Sequence, residues 1–212
     1  MPSADLPAAI DVILFDLGGV LVELAGVDQM IAWSPGVATH DELWRRWLGS
    51  NAVRRFETGT IGRDDFAVAV IDEFGCPVGV EEFLAAFTWW PRSVYPGAFE
   101  LLESLRPQYR LASVSNTNEI HWDRFSNAWK LDAAFHHNFP SYLVGKLKPD
   151  AEYFEHVLGA LDVQAKRVLF IDDNAINVGA AARLGMHTRR VAGVDGARQA
   201  FVELGLLSKE TS

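Results

Sequence analysis

The chain of 212 residues is long enough to bury one substantial core, or a main core with a modest insert, and 49% hydrophobic with 22% charged residues is ordinary globular composition. A formal net charge of −9 tells against nucleic acid and anionic lipid as bulk partners, though a bound cation and a lysine can invert the local field and admit a small phosphorylated molecule. The single cysteine, Cys76, excludes an intrachain disulfide and fits a reducing cytoplasm; no uncharged apolar run reaches the ~18 residues of a membrane helix, and Met1–Asp5 has no basic residue of the kind that opens a signal peptide.

The first predicted strand covers 11–15, the run Val12-Ile13-Leu14-Phe15, and ends on Asp16 before Gly18-Gly19. The next strand of that type lies near 110–114. A helical crossover needs only about a dozen residues, so a separate unit is folded into the gap. Leu43, Trp44, Trp47 and Leu48 share one helix face. Helical spacing recurs at 54–57, from Phe66 to Phe74, and over 81–88, with breaks at Thr58-Gly59 and at Gly75 to Pro77. Four short helices without a strand are expected there. Trp44 and Trp47 suit the core of that unit, Trp89-Trp90 marks its hinge, and Cys76 is a small buried hydrophobe rather than a nucleophile.

Pro96-Gly97 turns the chain into an amphipathic helix over 98–105. Helix and strand then alternate: a helix over 118–129, a short strand beginning at Ala134-Phe135, a helix over 151–161, a strand over 167–171, a helix over 174–184, a strand over 187–191 and a helix over 194–204. Such alternation predicts an α/β fold with a parallel sheet. The tail after Leu207 is expected to fray.

Polar residues punctuate the strand ends: Asp16, Ser115, and the pair Asp172-Asp173. In a parallel sheet those ends line one edge, where ligands bind. Each has an ordinary role as turn or cap residue. Adjacent carboxylates after a buried strand nevertheless repel unless a cation or protons intervene, and oxygen ligands suit Mg²⁺. Gly18 and Gly19 allow close approach of backbone to an anion. Ser115 with the Asn116 amide can hold phosphate oxygens, and Lys148, set extended by Pro149, can neutralise charge, with Lys146 as competitor. His136-His137 lacks metal-ligand spacing.

Together the stretches Phe15-Asp16-Leu17-Gly18-Gly19-Val20-Leu21, Ser113 to Asn118, Val144 to Asp150, and Phe170-Ile171-Asp172-Asp173 with Asn177 to Ala180 resemble the haloacid dehalogenase-like hydrolase superfamily, over nearly the whole chain. Phe56-Glu57-Thr58-Gly59-Thr60-Ile61 and Tyr95-Pro96-Gly97 resemble parts of its helical-cap members, among them sugar-phosphate phosphatases. The resemblance implies a Rossmann-like core over 1–21 and 96–212 and a helical cap over 22–95. It implies Asp16 as nucleophile and Mg²⁺ ligand, with the Gly18 carbonyl and Asp173 as further ligands. Asp172 would act through water or as the alternative ligand, and Asn177 would support the metal loop. Ser115, Asn116 and Lys148 would bind the phosphoryl group, Lys148 also holding the charge of Asp16.

The implied activity is Mg²⁺-dependent hydrolysis of a small phosphorylated metabolite, a sugar phosphate for example, through an aspartyl-phosphate. One departure stands out: many of these phosphatases carry an acid/base aspartate where this chain has Gly18. Glu23, His40, Asp41 and Glu42 are candidate substitutes. Two other readings are a 2-haloacid dehalogenase using Asp16, against which the acid pair argues, and an impaired phosphate-ester-binding protein. Monomer and homodimer both stay open.

Overall fold

The computed structural model describes residues 10–208. Met1–Asp5 and nearly all of the tail beyond Leu207 lie outside them. In chain order, β1 (Val12–Phe15) and β2 (Val22–Leu24) lead into five helices: α1 (Val27–Trp33), α2 (His40–Gly49), α3 (Asn51–Glu57), α4 (Arg63–Phe74) and α5 (Val80–Thr88). Then come β3 (Pro91–Val94), α6 (Ala98–Leu105), β4 (Arg110–Ser115), α7 (Glu119–Asp123), β5 (His137–Pro140) and α8 (Ser141–Val144). The chain ends with α9 (Ala151–Leu161), β6 (Val168–Asp172), α10 (Ala175–Arg183), β7 (His187–Arg190) and α11 (Gly193–Glu203).

Strict alternation along β1 makes the centre of the molecule. Ile13 and Phe15 point to one face of the sheet, Val12 and Leu14 to the other, and all four are fully buried. Leu169 and Ile171 against Val168 and Phe170 repeat the pattern on β6. The sheet has five strands in the order β5-β4-β1-β6-β7, every pairing parallel. Helices α6 and α11 cover one face through Leu101, Leu102, Leu105 and Phe201. Helices α9 and α10 cover the other through Tyr153, Phe154, Val157 and Ala181. Burial on both faces is what a parallel sheet demands, and the expected α/β class is the one observed.

The helical unit has its own core. Phe56, Phe66, Phe83, Phe87 and Trp47 interlock there, Phe56 and Phe66 stacking at 4.2 Å. Each such side chain contributes about 1.5–3 kcal/mol on burial. Local signals set the helix ends. A capping box between Thr39 and Glu42 starts α2, Ser50 accepts from the Val53 amide to start α3, and left-handed Gly75 stops α4. Cys76 is buried in this core, as expected.

The expectation of four helices and no strand is corrected. Five helices are present, α1 being the extra one, and β2 pairs antiparallel with β3 into a two-stranded ribbon. Val22 to Leu24 is too short to show a period in sequence. The strand expected at Ala134-Phe135 instead begins at His137, after a 3-10 turn over Leu131–Ala134. His137 and Asn138 obscure it, because β5 is an edge strand and need not be apolar. His136 accepts a hydrogen bond from the Leu111 amide through Nδ1. The helix expected over 118–129 is α7 continuing into a π-helical turn, Arg124–Ala128.

Candidate active site

Four chain segments converge at the carboxyl edge of the sheet. Asp16 follows β1, Ser115 ends β4, Asp172 ends β6, and Lys148 follows α8. Lys148 is 1% exposed and lies between two acids, its Nζ 2.8 Å from Asp16 Oδ1 and 2.7 Å from Asp172 Oδ2. The Asn116 side chain fixes the backbone beneath it: Nδ2 donates to the Lys148 carbonyl and Oδ1 accepts from the Lys148 amide, both at 2.8 Å. This two-point clamp gives the Asn116 side chain a structural task.

The two adjacent aspartates have different surroundings. Asp172 is fully buried, and its oxygens accept from Lys148 Nζ, from Asn177 Nδ2 at 3.0 Å and from the Asn174 amide at 2.7 Å. Asp173 is the more open of the pair and lines the cavity. It also presses on Gly19, where a Cβ would come within 2.3 Å of Asp173 Oδ2 and where φ is +71°. A side chain at position 19 is thus excluded twice over, by contact and by conformation.

Asp16, Asp172 and Asp173 can each offer an oxygen within 4.8 Å of the others. Three carboxylates outnumber the cations beside them, Lys148 between the acids and Arg190, whose Nε donates to the Asp173 carbonyl at 2.8 Å. Burial raises the Asp16 carboxyl above its usual range against the pull of Lys148, with Asp172 and Asp173 adding to the rise. Burial and Asp172 likewise raise Asp173. Burial pulls the Lys148 ammonium down, but Asp16 and Asp172 outweigh it and the net shift is upward. An all-oxygen donor set with an excess of negative charge fits Mg²⁺ and not a soft metal.

A cavity of about 630 Å³ opens above this floor, within the range of small-molecule sites. Asp16, Gly18, Ser115, Asn116, Lys148, Asp173 and Asn177 reach it from the core. Leu24, Trp44, Trp47, Leu48, Phe87 and Trp90 wall it from the helical unit and ribbon. Every site residue expected from sequence therefore lies at one place, Asp172 just beneath the surface. Of the expected proton donors, His40 and Asp41 reach the rim, whereas Glu23 bonds to Arg92 and Ser93 on the ribbon and Glu42 closes the helix cap.

Sequence reasoning overlooked four titratable residues of this cavity, Arg45, Glu57, His121 and Arg190. His121 donates from Nε2 to the Phe87 carbonyl at 2.7 Å and accepts at Nδ1 from Asn118 Nδ2 at 3.3 Å, so it joins α7 to α5 as a neutral ring. Burial pushes its pKa down to about 4. The signal for Glu57 was its place in the last turn of α3, where the helix dipole disfavours a carboxylate. No helix among the described residues is long and apolar enough to cross a membrane.

The sequence matches the profile of the haloacid dehalogenase-like hydrolases over residues 10–185. It is 31% identical over 188 residues to the sesquiterpene phosphatase astK of Aspergillus oryzae, covering 82% of this chain and 85% of that protein. It is 27% identical over 183 residues to the D-ribitol-5-phosphate phosphatase of Bacteroides thetaiotaomicron, covering 83% and 89%. A HAD family enzyme from that bacterium, crystallised with magnesium and inorganic phosphate, superposes with a TM-score of 0.70 at 27% identity over 86% of this chain and 94% of that one. The chain belongs to the haloacid dehalogenase-like hydrolase family.

Proposed function

We propose, from family membership and the site together, that the protein is a Mg²⁺-dependent phosphatase acting on a small phosphate monoester. The observation that carries this is the three-carboxylate cluster around Lys148 on the floor of a substrate-sized cavity. Asp16 and Asp173, with the Gly18 carbonyl, would hold Mg²⁺, while Asp172 is given to orienting Lys148 and Asn177. When bound, the ion supplies positive charge against the phosphoryl oxygens and the acids.

Asp16 attacks phosphorus in line, and the ester oxygen departs with the bonding pair. Water then opens the aspartyl-phosphate and releases phosphate, so one hard displacement becomes two easier ones. Lys148 orients Asp16 and balances charge on the transferring group. Ser115 and the Asn116 amide donate to the other phosphoryl oxygens, the positioning that phosphoryl transfer chiefly needs. The helical unit, for which we adopt the bounds 22–95, closes the cavity against bulk water.

The walls bear on the substrate. Leu24, Trp44, Trp47, Leu48, Phe87 and Trp90 present apolar surface, and His121 and Asn118 have spent their hydrogen bonds on each other and on the backbone. Burying an apolar body against these indoles and aliphatic groups is favourable, while Thr117 Oγ1 and Trp90 Nε1, both on the lining and without a partner, leave a few places for hydroxyls. This favours an ester with an apolar body over a sugar phosphate, in keeping with the likeness to the sesquiterpene phosphatase. We place the protein in the cytoplasm, consistent with its single buried cysteine.

The test is phosphate release from para-nitrophenyl, isoprenoid and sugar-alcohol monophosphates, with Mg²⁺ and with chelator, for wild type and Asp16→Asn. Metal-dependent turnover that vanishes in the variant is expected, fastest on an apolar ester. Turnover that survives either chelator or the variant removes the reading.

A further inference from the structure

We propose that Glu57 donates the proton to the departing ester oxygen, supplying the acid that Gly18 lacks; this rests on the phosphatase reading above. Gly18 carries no side chain, and a Cβ there would lie 3.0 Å from Leu24 Cδ1. The acid must come from another wall of the cavity. Outside the carboxylate floor, four side chains of suitable type line it: His40, Asp41, Glu57 and His121. His40 is exposed and bonded through Nε2 to Asp28 at 2.7 Å. Asp41 is exposed at the rim. His121 is neutral with both ring nitrogens engaged.

Glu57 alone combines the needed properties. It is partly buried in the last turn of α3, over the same cavity as Asp16. The Trp47 indole is the hydrogen-bonding side chain that acts on its carboxyl. Burial pushes this carboxyl up to about 7, near the value at which a general acid works best in neutral solution. Lys148 on the cavity floor pulls it the other way. The other charged or titratable groups on the cavity walls are His40, Asp41 and Arg45 on α2, His121 on α7 and Arg190 at the end of β7, and Arg54 and Arg55 share the helix of Glu57.

The step balances. As Asp16 forms its bond to phosphorus, the bond from phosphorus to the ester oxygen breaks, and the Glu57 proton passes to that oxygen to release an alcohol. The Glu57 carboxylate left behind takes a proton from the water that opens the aspartyl-phosphate. The enzyme ends as it began.

The test compares release of the leaving group in the first turnover from isopentyl phosphate and from para-nitrophenyl phosphate. The leaving group of the second needs no proton. Glu57→Gln keeps an acceptor for Trp47 and removes the acid. It is expected to slow isopentanol release by about 100-fold or more and to leave nitrophenolate release nearly unchanged. Wild-type cleavage of the alkyl ester should fall as pH rises past about 7, a limb that Glu57→Gln lacks. Glu57→Asp, which keeps an acid, should recover part of the alkyl rate and guards against a folding defect. Equal slowing of both esters in Glu57→Gln overturns the proposal, as does a wild type that cleaves only the aryl ester. A wild type that cleaves neither ester with Mg²⁺ sinks the phosphatase reading itself.

Discussion

Replacing Lys148 by methionine tests the electrostatics of the floor. The ammonium makes two contacts below 3 Å with buried acids and lies 5.5 Å from the Phe170 ring centre. At a charge separation of ~4 Å and an effective dielectric of about 20, each attraction is on the order of 4 kcal/mol. Much of that offsets the desolvation of the three groups. Removing one partner of a buried pair costs about 3–5 kcal/mol, because the other charge remains buried. We expect Lys148→Met to lose about that amount in chelator, a fall of about 2 M in the urea midpoint at a slope near ~2 kcal/mol per molar. Added Mg²⁺ should recover part of the loss, since a cation binding only the folded protein stabilises it. Urea titrations of both proteins with chelator and with Mg²⁺ measure this. A variant within about 1 kcal/mol of wild type in chelator would show that the ion pairs are not what holds these acids in place.

Three further outcomes are expected. Gly19→Ala forces a methyl onto Asp173 from a backbone at φ +71°, so Mg²⁺ affinity should fall at least about tenfold by calorimetry; unchanged affinity would refute the close packing. The His121 ring titrates near 6.5 when unfolded but only near 4 when folded, so the unfolded chain binds more protons between those values. Its contribution is complete above about pH 6.5 and is lost as pH falls toward 4, on the order of 3 kcal/mol in all, and His121→Gln should flatten that part of the stability profile. Asp16→Asn should abolish turnover yet still bind inorganic phosphate in calorimetry, since Lys148, Ser115 and the Asn116 amide remain.

The strand-end residues were legible because each closes a buried apolar run. Asp16 after four buried residues, and Asp172-Asp173 after Phe170-Ile171, can be read from hydrophobicity alone. Lys148 was legible from the Pro149 that follows it and from the family motif, with Lys146 close by as a competitor. What set it apart is tertiary: two acids from other strands and the Asn116 clamp. Glu57 and His121 were missed for the same reason. Their chemistry comes from burial between the helical unit and the core, and the helix-end placement of Glu57 is the one local mark of it. Trp47 shows one residue serving two demands, packing among Phe66, Phe74 and Phe87 while also reaching Glu57.

The β2–β3 ribbon has a topological consequence. The polypeptide departs the sheet through Val22–Leu24 and comes back through Pro91–Val94, so both crossings share one narrow stalk of paired strands. Register in the main sheet is therefore indifferent to what is strung between them. Another helical bundle grafted at that stalk inherits the same Asp16, Lys148 and paired acids while presenting a new ceiling. In such an architecture the reaction and the choice of molecule can diverge independently, except where a ceiling residue such as Glu57 reaches down into the chemistry.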